Sequence, residues 1–384
     1  MISGLPAELI DETSSYLSPG DLAQLSQTNH RLFLHCQRPL YRKVDLASCL
    51  AVASFFHSLL RNGALAPLVK ELKISFREPI HGLLTGYDRL IARVAPSLVN
   101  LAMLSAPYAP RAFHGLSTTH FPRLTDCTIP NSNDMLEFLR HHRALVTLEI
   151  KHLFAWHRRA DTTGLFELYG PHPEKPISLP TLRSYTGPPR AAVWISRERC
   201  SALNLAPTHP CSRRRNCNGY EIRSLASSAV TTLEYFPRDW TCTFVVSDIR
   251  RSFPNLVDLV IQSPRADNWK GFLAVLERAL HGFKNLEFIG LAIALNYVGS
   301  PPETLSVEEQ RARAYAWGEK CPTLRELYIA NTRYHLRNVE SGDRICEICP
   351  KPAEIGSLGK YVKQNDSEEC KNSDCGTMLT PRTL

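Results

Sequence analysis

Beyond residue 44 the apolar positions recur in one short pattern: an aliphatic residue, two others, an apolar residue, one other, and a third apolar residue. It reads as Leu98-Leu101-Met103, Leu124-Cys127-Ile129, Leu145-Leu148-Ile150, Val230-Leu233-Tyr235, Leu256-Leu259-Ile261, Leu286-Ile289-Leu291 and Leu324-Leu327-Ile329. Val69-Leu72-Ile74 reads as the first copy, and Leu182 with Tyr185 as a damaged one. The alternation through the second and third positions suits a short strand, with the first position anchoring the turn before it. Several copies share a lead-in, as in Phe121-Pro122-Arg123-Leu124 and Phe253-Pro254-Asn255-Leu256, where proline ends whatever precedes the strand. Between the copies the period becomes helical. Val52, Phe55, Phe56 and Leu59 form one stripe, ending at Gly63 as a residue just past the helix. Tyr87, Leu90, Ile91 and Val94 form a second, and Met135, Leu136, Phe138 and Leu139 a third. Trp269, Phe272, Leu273, Leu276 and Leu280 form a fourth, closed by Gly282, and Ser306 with Glu309 predicts a capping box. A strand–turn–helix unit cannot bury its faces alone, so the units must stack. The expectation is a curved α/β solenoid over 45–335, with 154–228, rich in proline and arginine, as an irregular excursion carrying one or two distorted repeats.

The first 44 residues follow a different pattern. Leu9, Ile10, Thr13 and Leu17 fall on one face of a helix opened by Pro6. Ser18-Pro19-Gly20-Asp21 breaks the chain and caps a second helix carrying Leu22 and Leu25. Thr28 or Asn29 can cap a third, with Leu32, Phe33 and Leu40 as its apolar positions. Helices of this length make a poor core alone, so the unit should lean on something else.

The opening Leu5, Pro6, Glu8 and Leu9, the later Leu17, and Asp21, Leu22 and Leu25 together resemble the F-box. The run Leu40-Tyr41-Arg42-Lys43-Val44 is similar to the way many fungal F-boxes enter the next domain. Thr13 stands where an aliphatic residue is usual, and Leu32 where tryptophan is frequent. The copies after residue 44, spaced by 21 to 38 residues, are similar to the degenerate leucine-rich repeats found behind many F-boxes. They depart from the regular repeat in lacking its asparagine or cysteine: Ser132, Leu153, Pro264, Ala294 and Thr332 stand there. The fold class expected is therefore α/β, an N-terminal three-helix F-box (1–44) followed by an irregular leucine-rich-repeat-like solenoid.

Composition adds limits. A chain with 43% hydrophobic and 21% charged residues is not globally disordered. Residues 336–384 are low in aromatics and aperiodic, and are expected to form a disordered tail. The first residues show no basic-then-apolar leader, and the most apolar run, 288–295, is far shorter than the ~20 residues of a membrane helix. Twelve scattered cysteines then read as reduced thiols of cytoplasm or nucleus. Cys346-Glu347-Ile348-Cys349 with Cys370 and Cys375 could supply four zinc ligands, though idle thiols are the preferred reading and no metal or other cofactor is expected. Cys200, His209, Cys211 and Cys217 match no zinc spacing and are read as chance neighbours. His141 and His142 end a helix, where capping its carbonyls is the expected role. The charge of +8 is concentrated in Arg197, Arg199, Arg213, Arg214, Arg215 and Arg223, read first as a solvated loop.

No nucleophile elbow, HExxH, P-loop or dinucleotide-binding glycine motif is present, so no catalytic residue is assigned and an enzyme is not expected. What the resemblance implies is an adaptor. Leu5, Pro6, Leu9, Leu22 and Leu25 would touch a Skp-type adaptor of a cullin-RING (SCF) ubiquitin ligase, while Leu17 and Leu32 hold the helices together. The solenoid would bind an unidentified protein substrate, with no membrane involved. Two alternatives remain at this point: an F-box scaffold outside any ligase, and a binder of nucleic acid or another acidic partner through 197–223.

Overall fold

A single line of inward-facing side chains runs across the sheet from Val44 to Leu327. The computed structural model describes residues 6–76, 86–132, 134–151, 176–196, 199–205, 222–237, 244–263, 269–293, 305–329, 332–338 and 344–349. Helices α1 (Ala7–Tyr16), α2 (Pro19–Ser26) and α3 (His30–Arg42) lead directly into strand β1 (Lys43–Leu46). Then come α4 (Cys49–Arg61), β2 (Glu71–Ile74), α5 (Tyr87–Val94), β3 (Met103–Ser105), α6 (Pro110–Ser117), β4 (Asp126–Pro130), α7 (Met135–His141) and β5 (Thr147–Lys151). The middle holds β6 (Ile177–Ser178), β7 (Ser184–Gly187), α8 (Pro189–Val193), β8 (Ile195–Ser196), β9 (Ala202–Leu205) and β10 (Thr232–Tyr235). The last part is α9 (Phe244–Ser252), β11 (Asp258–Ser263), α10 (Trp269–Ala279), β12 (Phe288–Ile293), α11 (Val307–Lys320), β13 (Glu326–Ile329), β14 (Thr332–Asn338) and β15 (Arg344–Cys349).

All strands but β6 and β8, which pair with each other, join one sheet in chain order. From β1 to β13 neighbours are parallel; β14 and β15 return antiparallel. The register lines up Val44, Leu72, Leu104, Cys127, Leu148, Tyr185, Leu203, Leu233, Leu259, Ile289 and Leu327 as one continuous rung. Parallel neighbours in chain order need a crossover each, and crossovers of one hand place every helix on the same face. There the rung joins Val52, Phe56, Ile91, Phe138, Leu273 and Trp317 in one core. The architecture is mixed α/β and solenoid-like. No described helix is long and apolar enough to cross a membrane.

The register corrects the sequence reading in several places. Leu104, not Leu101, aligns with Leu72 and Cys127, so the third unit is Leu101-Leu104-Ala106 and not Leu98-Leu101-Met103. Leu104 is 0% exposed and Met103 41%. Pro96-Ser97-Leu98 mimics the usual lead-in, but it belongs to a 3-10 turn over Ala95–Ser97 closed by the Leu98 amide on Ala95 O at 3.0 Å. The true lead-in turn follows it, with the Leu101 amide bonding Leu98 O at 3.1 Å as the Leu124 amide bonds Phe121 O. The first unit is not at Val69 but one strand earlier, with Tyr41, Val44 and Leu46 beside Val69, Leu72 and Ile74. The solenoid thus begins inside the segment assigned to the helical domain, and no linker separates them.

The irregular excursion supplies two strands in full register. In β7, Tyr185 fills the place of two aliphatic side chains and donates its hydroxyl to Pro188 O at 2.8 Å. A Cβ on Gly187 would stand 2.7 Å from that hydroxyl and 3.0 Å from Ile150 Cβ, which explains the missing third apolar residue. The β9 unit, Cys200-Leu203-Leu205, is buried throughout and was missed because cysteine holds its first position. Residues 154–175, 197–198 and 206–221 of the excursion lie outside the described residues.

Local expectations fared unevenly. The capping box forms, with Ser306 N donating to Glu309 Oε2 at 2.8 Å and Glu309 N to Ser306 Oγ at 3.1 Å. Helix α4 ends without a left-handed glycine: Asn62 accepts from the Ala64 amide at 3.3 Å and Gly63 opens a 3-10 turn. The boundary drawn at residue 335 moves, because His335 pairs with Glu326 and Glu347 inside the sheet and strands continue to Cys349. The remainder of the expected disordered tail, 350–384, lies outside the described residues.

Candidate functional site

Two surfaces carry chemistry: the N-terminal helices and the sheet face away from the helices. Pro6 is exposed and acts as the N-cap of α1, one residue earlier than the helical position expected of it. Ile10 and Ser14 turn inward, four apart, and Ser14 Oγ donates to Ile10 O at 2.6 Å. Leu9 and Tyr16, seven apart on the outward stripe with Thr13, are 46% and 82% exposed. Helix α2 is held by Ser18, whose Oγ accepts from Asp21 N at 3.2 Å and donates to Asp21 Oδ2 at 2.6 Å. Asn29 caps α3 by accepting from Leu32 N at 2.8 Å.

The predicted docking residues divide. Leu9 and Pro6 face solvent and Leu25 is half-buried. Leu22 is 4% exposed and belongs to the helical packing, because α2 lies along α3 and turns this leucine inward; it is not on the outer face. Leu5 lies outside the described residues. Leu32 is buried and Leu17 half-buried, as internal packing requires. Phe33, expected inside, is exposed with Leu34, because Leu32 and Cys36 take the inward face of α3. Tyr16 was not assigned a role from sequence; its seven-residue spacing from Leu9 was the available signal.

Along the sheet, residues of the other parity face away from the helices. Most carboxylates there bring their own cation. Lys43 Nζ lies 3.0 Å from Glu71 Oε1, and Lys73 Nζ 2.7 Å from Asp45 Oδ2. Lys151 pairs with Glu149, and Arg333 Nη2 lies 2.7 Å from Glu326 Oε2. On β10 and β11 the pattern changes. Glu234 accepts from the Asn204 amide and from Gln262 Nε2 at 3.0 Å, and Asp258 accepts from Thr232 Oγ1 at 3.0 Å. Among the described residues neither carboxyl has a cation within 4.0 Å. Burial pushes the Glu234 carboxyl up to about 7, against two amide donors that favour its ionised form. Burial also raises Asp258, opposed by the Thr232 hydroxyl and reinforced by Glu287 and Glu326. Beside them Phe288 packs against Ala292 and Tyr328 in an apolar cluster separate from the main core.

The remaining candidates are tied into the fold or fall outside it. Cys200 is buried, with Sγ 3.3 Å from Ala202 O, while His209, Cys211 and Cys217 lie outside the described residues. Cys346 and Cys349 sit opposite Leu336 and Arg333, at positions of opposite parity along β15; Cys370 and Cys375 lie outside. No three metal-ligating side chains cluster among the described residues. Of the basic stretch, Arg199 is exposed and Arg223 Nε bonds Asp248 Oδ1 at 2.8 Å; Arg197 and 213–215 lie outside. His142 does cap its helix: Nδ1 meets Phe138 O at 2.7 Å, and Nε2 accepts from Phe121 N at 2.9 Å. These partners fix the neutral tautomer with the proton on Nδ1. Burial holds the ring's pKa down at about 4, partly offset by the Phe138 carbonyl.

No family model matches the sequence, and no curated protein matches it. Among solved structures the chain is similar to that described as "Crystal structure of Rad7 and Elc1 complex in yeast", at 11% identity, covering 79% of this chain and 94% of that one. The TM-score is 0.28, too low for any residue or role to be carried across.

Proposed function

We propose that this chain is a non-enzymatic substrate receptor of an SCF-type ubiquitin ligase, docking on a Skp-type adaptor through α1–α3 and holding a protein substrate on the sheet. The observation that carries the reading is the outward stripe of α1. Leu9 and Tyr16 stay exposed beside Pro6 in a unit too small to discard apolar surface without a partner. The three positions of the Leu-Pro-x-Glu-Leu motif that are described, Pro6, Glu8 and Leu9, are all exposed. Helix α3 continues into β1 without a linker, so a partner on the helices is held at a set distance from the sheet. In this reading catalysis is by proximity: the receptor raises the local concentration of substrate near the ubiquitin-charged enzyme and makes no bond itself.

Reconstitution with a Skp-type adaptor, cullin and RING subunit tests the ligase assignment. Ubiquitin should be transferred to the receptor itself when all subunits are present, and Leu9→Asp should lose that signal. Adaptor binding without any transfer would favour a scaffold outside the ligase.

A further inference from the structure

Two carboxyls without a cation among the described residues, Glu234 and Asp258, stand on the adjacent strands β10 and β11 of the sheet face. Among the described residues Lys43, Lys73, Lys151 and Arg333 pair with other carboxylates of that face and Asp126 on β4 accepts from the Thr125 hydroxyl at 2.7 Å, while Glu234 and Asp258 are neighbours with only neutral donors. A carboxylate withdrawn from water without a countercharge is costly, and a cation brought to it recovers much of that cost. The register sets Asp258 between Thr232 and Phe288, with Glu234 two positions further along β10. With strands ~4.8 Å apart and ~6.6 Å for two residues, the two carboxyls flank a space that one guanidinium or ammonium group can bridge. Phe288 adds an aromatic side to it, backed by Ala292 and Tyr328. The chain as a whole carries +8, so a basic segment is repelled from most of the surface and drawn to this part.

We infer that the sheet face across β10–β12 docks a basic segment of a protein partner, one arginine or lysine entering between Glu234 and Asp258 with an apolar neighbour on Phe288. This deepens the receptor reading by naming the chemical class of its substrate, and it rests on that reading only for the word substrate.

The probe is a fluorescein-labelled seven-residue peptide alternating leucine and arginine, compared with one carrying glutamine for arginine, by fluorescence polarisation on the full chain. The arginine peptide should bind about ten-fold more tightly, and Glu234→Gln with Asp258→Asn should remove the preference. Glu71→Gln with Glu149→Gln, whose carboxylates already have cations, should leave the preference intact. Glu234→Lys is the second variant: it places the cation internally and should abolish binding in a folded chain. Equal binding of the two peptides, or a loss shared by the Glu71 and Glu149 pair, would overturn the inference. Adaptor capture measured on the same samples separates the two ideas. If the arginine preference persists while capture fails, the receptor reading falls and the basic-segment surface stands.

Discussion

Leu104→Lys should unfold the protein under conditions where Met103→Lys leaves it folded. Leu104 lies on the inner rung between Leu72 and Cys127, 0% exposed in the apolar core. Burying a charge there, or neutralising it to avoid that, costs ~4 kcal/mol or more, a large share of the ~5–15 kcal/mol that stabilises a domain. Met103 is 41% exposed on the outer face, flanked in register by Glu71 and Asp126. A lysine there meets opposite charges across both strands, and its effect should stay within ~0.5 kcal/mol. Urea unfolding of both variants checks this. The reverse order of stability would mean that the frame Leu98-Leu101-Met103 is right and the extra turn is not there.

The second large effect is a cancellation in the pH dependence of stability. His142 is neutral in the fold with a pKa of about 4, whereas an unfolded histidine titrates near its ordinary value of 6.5. Between those values the unfolded chain binds more protons, so stability falls as pH drops from about 6.5 to about 4. Glu234 works in the opposite sense. Burial pushes its folded carboxyl up to about 7 against an ordinary value of 4.5, so the folded chain holds the extra proton and stability rises as pH drops from about 7 to about 4.5. At ~1.4 kcal/mol per unit, each contributes about 3 kcal/mol across its window. The wild type should therefore be nearly flat between pH 7 and 4.5 with respect to these two groups. Glu234→Gln should expose the histidine's acid loss, and His142→Gln should leave a protein that gains stability on acidification. Denaturant midpoints at stepped pH for the three proteins check the signs. Parallel profiles for wild type and Glu234→Gln would show that Glu234 is ionised and solvated.

The sequence carried the architecture because its main signal, three apolar positions in a fixed spacing, is the signal the parallel register uses. Units with that spacing and a proline lead-in, such as Leu124-Cys127-Ile129 and Leu256-Leu259-Ile261, lie where expected. The pattern misled where the same residue types served another turn, as at Leu98, and where a different residue solved the same packing problem, as with Tyr185 over Gly187 and Cys200 at the start of β9. In the N-terminal unit the helices and caps were legible. The choice of which leucines face outward was not, because Leu9 and Leu22 occupy equally plausible periodic positions and only the packing of α2 on α3 separates them. Glu234 left no trace in the sequence. Its partners Asn204 and Gln262 stand on neighbouring strands, 30 residues before it and 28 after.

The measurement that bears most directly on the account is calorimetric titration of the full chain with a purified Skp-type adaptor, beside Leu9→Asp and with Met103→Lys as a folded control. The wild type and the control should bind alike, and Leu9→Asp should weaken binding by about 30-fold or more, as expected for an anchor worth ~2 kcal/mol. A folded wild type that binds no adaptor, or a Leu9→Asp protein that binds as tightly as the wild type, would contradict docking through α1.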